Sequence, residues 1–190
     1  MSKTPSSMLP LGTQAPEFSL IDVVNGKTVG LNKQNDNTGT VIMFICNHCP
    51  YVKHVNPELV RISNDYMHKD IRFIAINAND TQNYPDDSPE NMRKTALELN
   101  YPFPYLFDET QEVAMAYQAK CTPDFFVFNN KHSLVYRGQL DDSRLGNKIK
   151  LTGKSIRAAL DCLLANKPVA SEGQKPSLGC NIKWKPENVI

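Results

Sequence analysis

The chain reads as an α/β domain with a mixed central sheet between helical layers, a β-hairpin extension at its start and a tail at its end. Three observations predict this. Residues 40–45 form a short apolar, partly β-branched run, and Val52, Val55, Leu59, Ile62 and Tyr66 follow at steps of three and four. Residues 71–77 form another apolar run, so strand, amphipathic helix and strand succeed one another as in a right-handed βαβ unit with a parallel pair. Further on, Asn129-Asn130-Lys131-His132 separates the apolar residues 124–128 from residues 133–138, a second hairpin that makes the sheet mixed.

The other elements follow in order. Residues 1–11 are rich in Ser and Pro and read as a loose arm, residues 12–166 as the domain, and residues 167–190 as a tail. The tail holds the only tryptophan, Trp184, and Cys180, which suggests that it docks back on the domain. Residues 15–21 alternate apolar and polar, and Asn25-Gly26 before residues 28–31 completes the N-terminal hairpin. Residues 32–39 are a polar connection. In the helix after Cys49, Pro50 lies in the first turn, where proline is tolerated, whereas Pro57 removes a hydrogen bond and should kink it.

Residues 77–87 are polar and leave the C-terminal end of a parallel strand, where α/β sites gather. Asp80, Asp86 and Asp87 in this loop are candidate ligands for a hard cation, although their spacing is not that of an EF-hand. Ser88 and Pro89 start a helix. Residues 101–107 are extended around Pro102 and Pro104, residues 110–119 form a short helix, and Ile156, Leu160, Leu163 and Leu164 mark the core face of a last helix over 154–165. Cys162 lies off that stripe and reads as a small filler, and His132 in its turn reads as solvated.

A chain of 190 residues, 41% hydrophobic, can bury one sizeable core. Its 21 basic and 20 acidic residues give a net charge of +1 with no long run of either sign, which points away from nucleic-acid and membrane partners. The N-terminus lacks the apolar core of a signal peptide and no run approaches a membrane span, so the expected compartment is cytoplasmic. In that compartment five cysteines, an odd number, do not make a structural disulfide framework.

The chemistry concentrates in Cys46-Asn47-His48-Cys49-Pro50. The two cysteines stand at a helix N-terminus, where unpaired N–H groups and the positive end of the dipole favour a thiolate on Cys46. His48 places a positive charge or proton donor near that sulfur, which lowers the thiol pKa further and makes the reduced form a poor reductant. Cys49 is then the resolving thiol. Two other readings remain open: zinc ligands, and buried structural cysteines. His54 reads as a solvated helix residue or, more sharply, as a metal ligand or proton donor near Cys49.

The order of elements resembles the thioredoxin-like fold, specifically the redoxin branch that includes the AhpC/TSA and TlpA-like proteins. The resemblance is carried by Gly12-x-x-Ala15-Pro16-x-Phe18-x-Leu20, by Cys46-Asn47-His48-Cys49-Pro50, and by Thr122-Pro123 before residues 125–128. It implies a three-layer sandwich in which Pro123 is cis and faces the dithiol across a substrate groove. Asn47, Pro50, Thr122 and Pro123 would shape that groove, and the Thr122 backbone would pair with a bound peptide or mixed-disulfide partner. Cys121 then lies near the dithiol as a possible third thiol. The sequence departs from the peroxidase pattern Pro-x-x-x-Thr/Ser-x-x-Cys, with Gly39 and Met43 at those positions before Cys46, so specialised peroxide reduction is the lesser expectation. TlpA-like members are exported, which conflicts with the expected cytoplasmic setting.

The expected function is thiol–disulfide oxidoreduction on protein or small-molecule disulfides, with the dithiol as sole redox group and no bound cofactor. No nucleotide-binding motif is present, so electrons would come from a thiol protein or a small thiol. The alternative is a Zn(II) or Cu(I) binding protein or metallochaperone using Cys46, Cys49, His54, Cys121 and Cys180. A third reading is a redoxin scaffold turned interaction module.

Overall fold

A computed structural model describes residues 3–31 and 37–188. Most of the polar connection expected at 32–39 lies outside the described residues. The core is organised by β4 (Gly39–Phe44), which is buried at every position. An uninterrupted apolar strand is stable only with both faces covered, and its pleat divides the work. Val41 and Met43 join one cluster with Val52, Val55, Leu59 and Ile62 of α1 (Pro50–Tyr66) and Ile156 and Leu160 of α4 (Lys154–Leu164). Ile42 and Phe44 join the opposite cluster with Ala114 of α3 (Glu112–Ala116), Tyr117 and Leu9. The fold is thus a thioredoxin-like sandwich with helices on both faces of a mixed sheet.

β5 (Ile71–Asn77) is parallel to β4, and β8 (Asp124–Asn129) is antiparallel on its other side. With β2 (Phe18–Asp22), β3 (Thr28–Leu31), β6 (Tyr105–Phe107) and β9 (Leu134–Gly138), they form a seven-stranded sheet in the order β3-β2-β6-β5-β4-β8-β9. Both expected hairpins are present: β2 pairs with β3, and β8 with β9. Gly26, at φ +72, serves the first turn in a conformation glycine adopts without strain. α1 continues through Pro57, and α2 (Pro89–Glu98) starts at Ser88, whose Oγ accepts from Asn91 N–H at 3.4 Å. Among the described residues no helix is long and apolar enough to cross a membrane.

Two expectations are corrected, and a minor candidate finds no support. The arm read as loose contains β1 (Lys3–Pro5), which pairs with β10 (Leu178–Asn181) of the tail. β10 pairs in turn with β7 (Cys121–Thr122), making a second, three-stranded sheet in the order β1-β10-β7. The two ends of the chain hold each other, so the Ser- and Pro-rich start has backbone partners that its composition does not announce. His132, expected in solvent, is buried. The chain segment before β2 lies over its turn, with Ala15 N–H donating to the His132 carbonyl at 2.8 Å. Finally, Asp80, Asp86 and Asp87 do not converge on one cation: Asp80 accepts from Gln82 and Asn83 within its own loop, while Asp87 turns to the cysteine motif.

Candidate active site

Cys49 is the N-cap residue of α1, in extended backbone conformation, and Pro50 follows in the first turn. Cys46 and Asn47 lie in the short link between β4 and α1. The sequence therefore presents both thiols at the C-terminal end of a central strand and the N-terminus of a long helix. Both are buried and neither is in a disulfide. Facing them is the Thr122–Pro123 peptide, which is cis. Thr122 Oγ1 lies 3.2 Å from Cys46 Sγ, and the Thr122 carbonyl accepts from Cys49 Sγ at 3.1 Å.

The thiols titrate as a pair. A depressed pKa at Cys46 alone, the reading from the motif, is corrected: burial pushes Cys46 up, and its hydrogen bond to Cys49 and the Asp87 charge push it further. The hydrogen bond from Cys46 pulls Cys49 down to about 5, against burial and with help from Cys180. The bond to the Thr122 carbonyl, however, requires the proton on Cys49. The dithiol loses its first proton below the ordinary thiol range because the remaining S–H solvates the charge, and its second far above it because burial and the first charge oppose the loss.

His48 is close to Cys46, with Nδ1 3.9 Å from the sulfur, but its strong partner is Asp87 Oδ2 at 2.5 Å. The hydrogen bond to Asp87 raises the imidazole pKa against the effect of burial. Burial works to raise the Asp87 carboxyl, yet hydrogen bonds from His48 and Asn79 outweigh it and hold the group below its ordinary range. Asp87 Oδ1 accepts from Asn47 N–H at 2.7 Å and His48 N–H at 3.3 Å, and Oδ2 also accepts from Asn79 Nδ2 at 2.7 Å. The carboxylate thus fixes both backbone and imidazole of the motif. Tyr84 stacks on the His48 ring, centroids 5.6 Å apart, and His48 Nε2 is buried with no hydrogen-bond partner.

Asn47 spans the groove side, its Nδ2 donating to the Asp86 carbonyl and its Oδ1 accepting from Tyr105 Oη. His54 is placed elsewhere, with Nε2 2.9 Å from Ser143 Oγ. Cys121 adjoins Thr122 on its strand, with its S–H directed at the Pro123 carbonyl, 3.6 Å away, rather than at Cys46 or Cys49. Burial pushes that thiol far up. The alternative metal set of Cys46, Cys49, His54, Cys121 and Cys180 does not converge among the described residues. Among the described residues the ligand atoms of Cys46, His48 and Asp87 do lie within 4.8 Å of one another, but the 2.5 Å His48–Asp87 contact is a hydrogen bond, closer than two ligands on one metal ion approach.

Two features escaped the sequence. Asp87 stood only as one of three loop acids, and no local pattern links it to His48, 39 residues away. The Thr122 backbone, expected to receive a peptide, is already paired with Cys180 of β10. The glycine before that cysteine was the available signal: a Cβ on Gly179 would lie 2.0 Å from the Thr122 carbonyl oxygen.

A thioredoxin-like domain with a buried dithiol at a helix N-terminus is the class that these observations define. Residues 11–137 match the AhpC/TSA family, and the chain belongs to that family. It is 62% identical to an uncharacterized conserved protein from Geobacillus kaustophilus, with a TM-score of 0.95 and 98% of each chain covered. A hypothetical protein from Sinorhizobium meliloti 1021 is 41% identical, with a TM-score of 0.93 over 97% of this chain and 100% of that one. The thioredoxin domain of a thiol-disulfide oxidoreductase from Bacteroides vulgatus, 19% identical, shares the fold with a TM-score of 0.59 over 69% of this chain and 89% of that one. No curated protein matches the chain.

Proposed function

We propose that the protein is a thiol–disulfide oxidoreductase acting through Cys46 and Cys49. The observation that carries this reading is the pair of buried thiols at the head of α1, facing the cis Thr122–Pro123 peptide with Cys46 Sγ 3.2 Å from Thr122 Oγ1 and Cys49 Sγ 3.1 Å from the Thr122 carbonyl, beside the His48–Asp87 pair. Cys46 is the attacking thiol: it adjoins the partly exposed Asn47 and His48, whereas Cys49 lies behind it against the Thr122 carbonyl. Starting from the singly ionised dithiol, Cys46 Sγ attacks a substrate disulfide as its proton passes to the Cys49 thiolate, whose S–H then donates to the Thr122 carbonyl, and the departing substrate sulfur leaves with the electron pair. Cys49 next attacks Cys46 Sγ, its proton following the second substrate thiol, and the Cys46–Cys49 disulfide remains. A thiol protein or small thiol returns it to the dithiol, so no further cofactor is required.

β10 fills the Thr122 edge, and the cleft lined by Asn47, His48 and Asp86 beside the buried Cys46 is the approach assigned to substrates in this reading, in place of a strand added at Thr122. The groove roles of Asn47, Pro50, Thr122 and Pro123 belong to this proposal. The test is mass mapping of all five cysteines by differential alkylation of reduced, metal-stripped protein before and after one equivalent of oxidised glutathione. A fast disulfide between Cys46 and Cys49, reversed by dithiothreitol, is the expected result. Free thiols at both positions, with stoichiometric metal in untreated protein, would replace this reading by the metal-binding one.

A further inference from the structure

The two-thiol mechanism leaves a third buried thiol unused at its centre. Cys180 lies in β10, held on one edge by β1 through Lys3 and on the other by β7 through Thr122. Its predecessor Gly179 sits so close to the Thr122 carbonyl that no side chain fits there, so the tail is built to lie flush on the peptide that faces the dithiol. The consequence is a close approach: β10 pairs Cys180 with Thr122, whose carbonyl accepts from Cys49 Sγ at 3.1 Å, Cys180 and Cys49 share one buried cluster, and the Cys180 thiol and backbone N–H both act on Cys49 to lower its pKa. Cys180 shares the core cluster of Cys46 and Cys49 and is 1% exposed. Cys121, the third-thiol candidate of the sequence, has its sulfur directed at the Pro123 carbonyl instead.

A thiol so close to the inner sulfur of a disulfide is placed to exchange with it. Resting on the oxidoreductase reading above, we infer that Cys180 is a third redox thiol: it converts the Cys46–Cys49 disulfide into a Cys49–Cys180 disulfide and sets Cys46 free again. Cys180 gives up its proton and its Sγ attacks Cys49 Sγ; the bond between Cys49 and Cys46 breaks as the new one forms. The electron pair leaves with Cys46 Sγ, which either takes up the released proton or stays ionised beside the Thr122 hydroxyl at 3.2 Å and His48. The step is an isomerisation, so it consumes no oxidant or reductant. Burial holds the Cys180 thiol up at about 12, so the exchange forms a second, slower phase after the first disulfide. Its product stores the oxidising equivalent beneath the tail and leaves the front thiol able to engage a second substrate.

The test uses the full chain, reduced and treated with one equivalent of diamide, quenched in acid over time, alkylated, and mapped by mass spectrometry under non-reducing conditions. In the wild type the Cys46–Cys49 disulfide should appear first and give way to Cys49–Cys180 as Cys46 becomes alkylatable. Cys180→Ser should stop at the first disulfide, and Cys46→Ser should form Cys49–Cys180 directly. A wild-type protein that retains Cys46–Cys49 at all times, with Cys180 a free thiol, overturns the inference while leaving the two-thiol mechanism standing. Absence of Cys46–Cys49 even in Cys180→Ser overturns that mechanism and this inference together. The wild-type time course decides the matter without relying on the folding of either variant.

Discussion

Replacing Asp87 by Asn should change the reactivity of Cys46 with a sign that depends on pH. Oδ1 is spent on the backbone N–H groups of Asn47 and His48, so the new amide nitrogen takes the Oδ2 side, where it meets His48 Nδ1 and Asn79 Nδ2. Asn79 cannot turn to accept, because its Oδ1 already accepts from Lys183 N–H. The imidazole loses a charge-assisted hydrogen bond worth about 1.5–3 kcal/mol, so its protonated-to-neutral ratio falls by about ten- to a hundredfold. With an effective dielectric of about 20, an imidazolium at 3.9 Å stabilises a thiolate on Cys46 by ~4.3 kcal/mol, and a carboxylate no further than 4.8 Å opposes it by at least ~3.5 kcal/mol. Losing both charges therefore costs the thiolate at most ~0.8 kcal/mol, up to about fourfold in iodoacetamide rate at pH 7.5. At pH 5, where a larger fraction of the variant's imidazole is protonated, the lost repulsion outweighs the lost attraction, so Cys46 should react faster than in the wild type. Alkylation rates at the two pH values, read by mass spectrometry on Cys46, supply the assay. Equal slowing at both, or unchanged rates, would refute the argument.

The same ion pair makes stability depend on pH. His48, raised in the fold, contributes fully below its unfolded pKa of about 6.5 and loses the contribution as pH rises through its folded value; Asp87, lowered, contributes above about 3.9 and loses it as pH falls through its folded value. The Asp87→Asn destabilisation in urea titrations should therefore be greatest between about pH 4 and 6.5, and a difference that grows above pH 8 would contradict it. Cys49→Ser should arrest turnover at a mixed disulfide on Cys46, visible as added substrate mass that dithiothreitol removes; undiminished turnover would assign resolution to another thiol. Gly179→Ala drives a Cβ into the Thr122 carbonyl and should cost about 1–3 kcal/mol in urea titrations, as overpacking does. It should also lift β10 enough for Cys180 to be alkylated in the native state, and wild-type protection there would show that the tail does not depend on that contact.

Much of the fold is written in local pattern. The apolar run of β4, the three-and-four spacing of α1, Asn25-Gly26 between β2 and β3, and Ser88-Pro89 before α2 each act through neighbours within a turn or a strand. The position of the dithiol at a helix N-terminus is of the same kind, since Cys49 caps the helix that its own downstream residues form. What these patterns do not carry is which elements meet. His48 was legible as a modulator of the thiols, but its controlling partner is a buried carboxylate on a separate loop, recognisable only once β4 and β5, which lead into the two segments, lie side by side.

The sequence alone therefore determined the sheet, the helices and the two sulfurs at the head of α1, because hydrophobic period, turn chemistry and capping are short-range and survive in any chain that folds at all. Tertiary structure decided the rest: Asp87 on His48, both sulfurs facing Thr122, β10 on the Thr122 edge, and Cys180 in the cluster of Cys49. Those outcomes depend on burial and on charges brought together from distant parts of the chain, and the energies of both are set by the packed surroundings rather than by residue type.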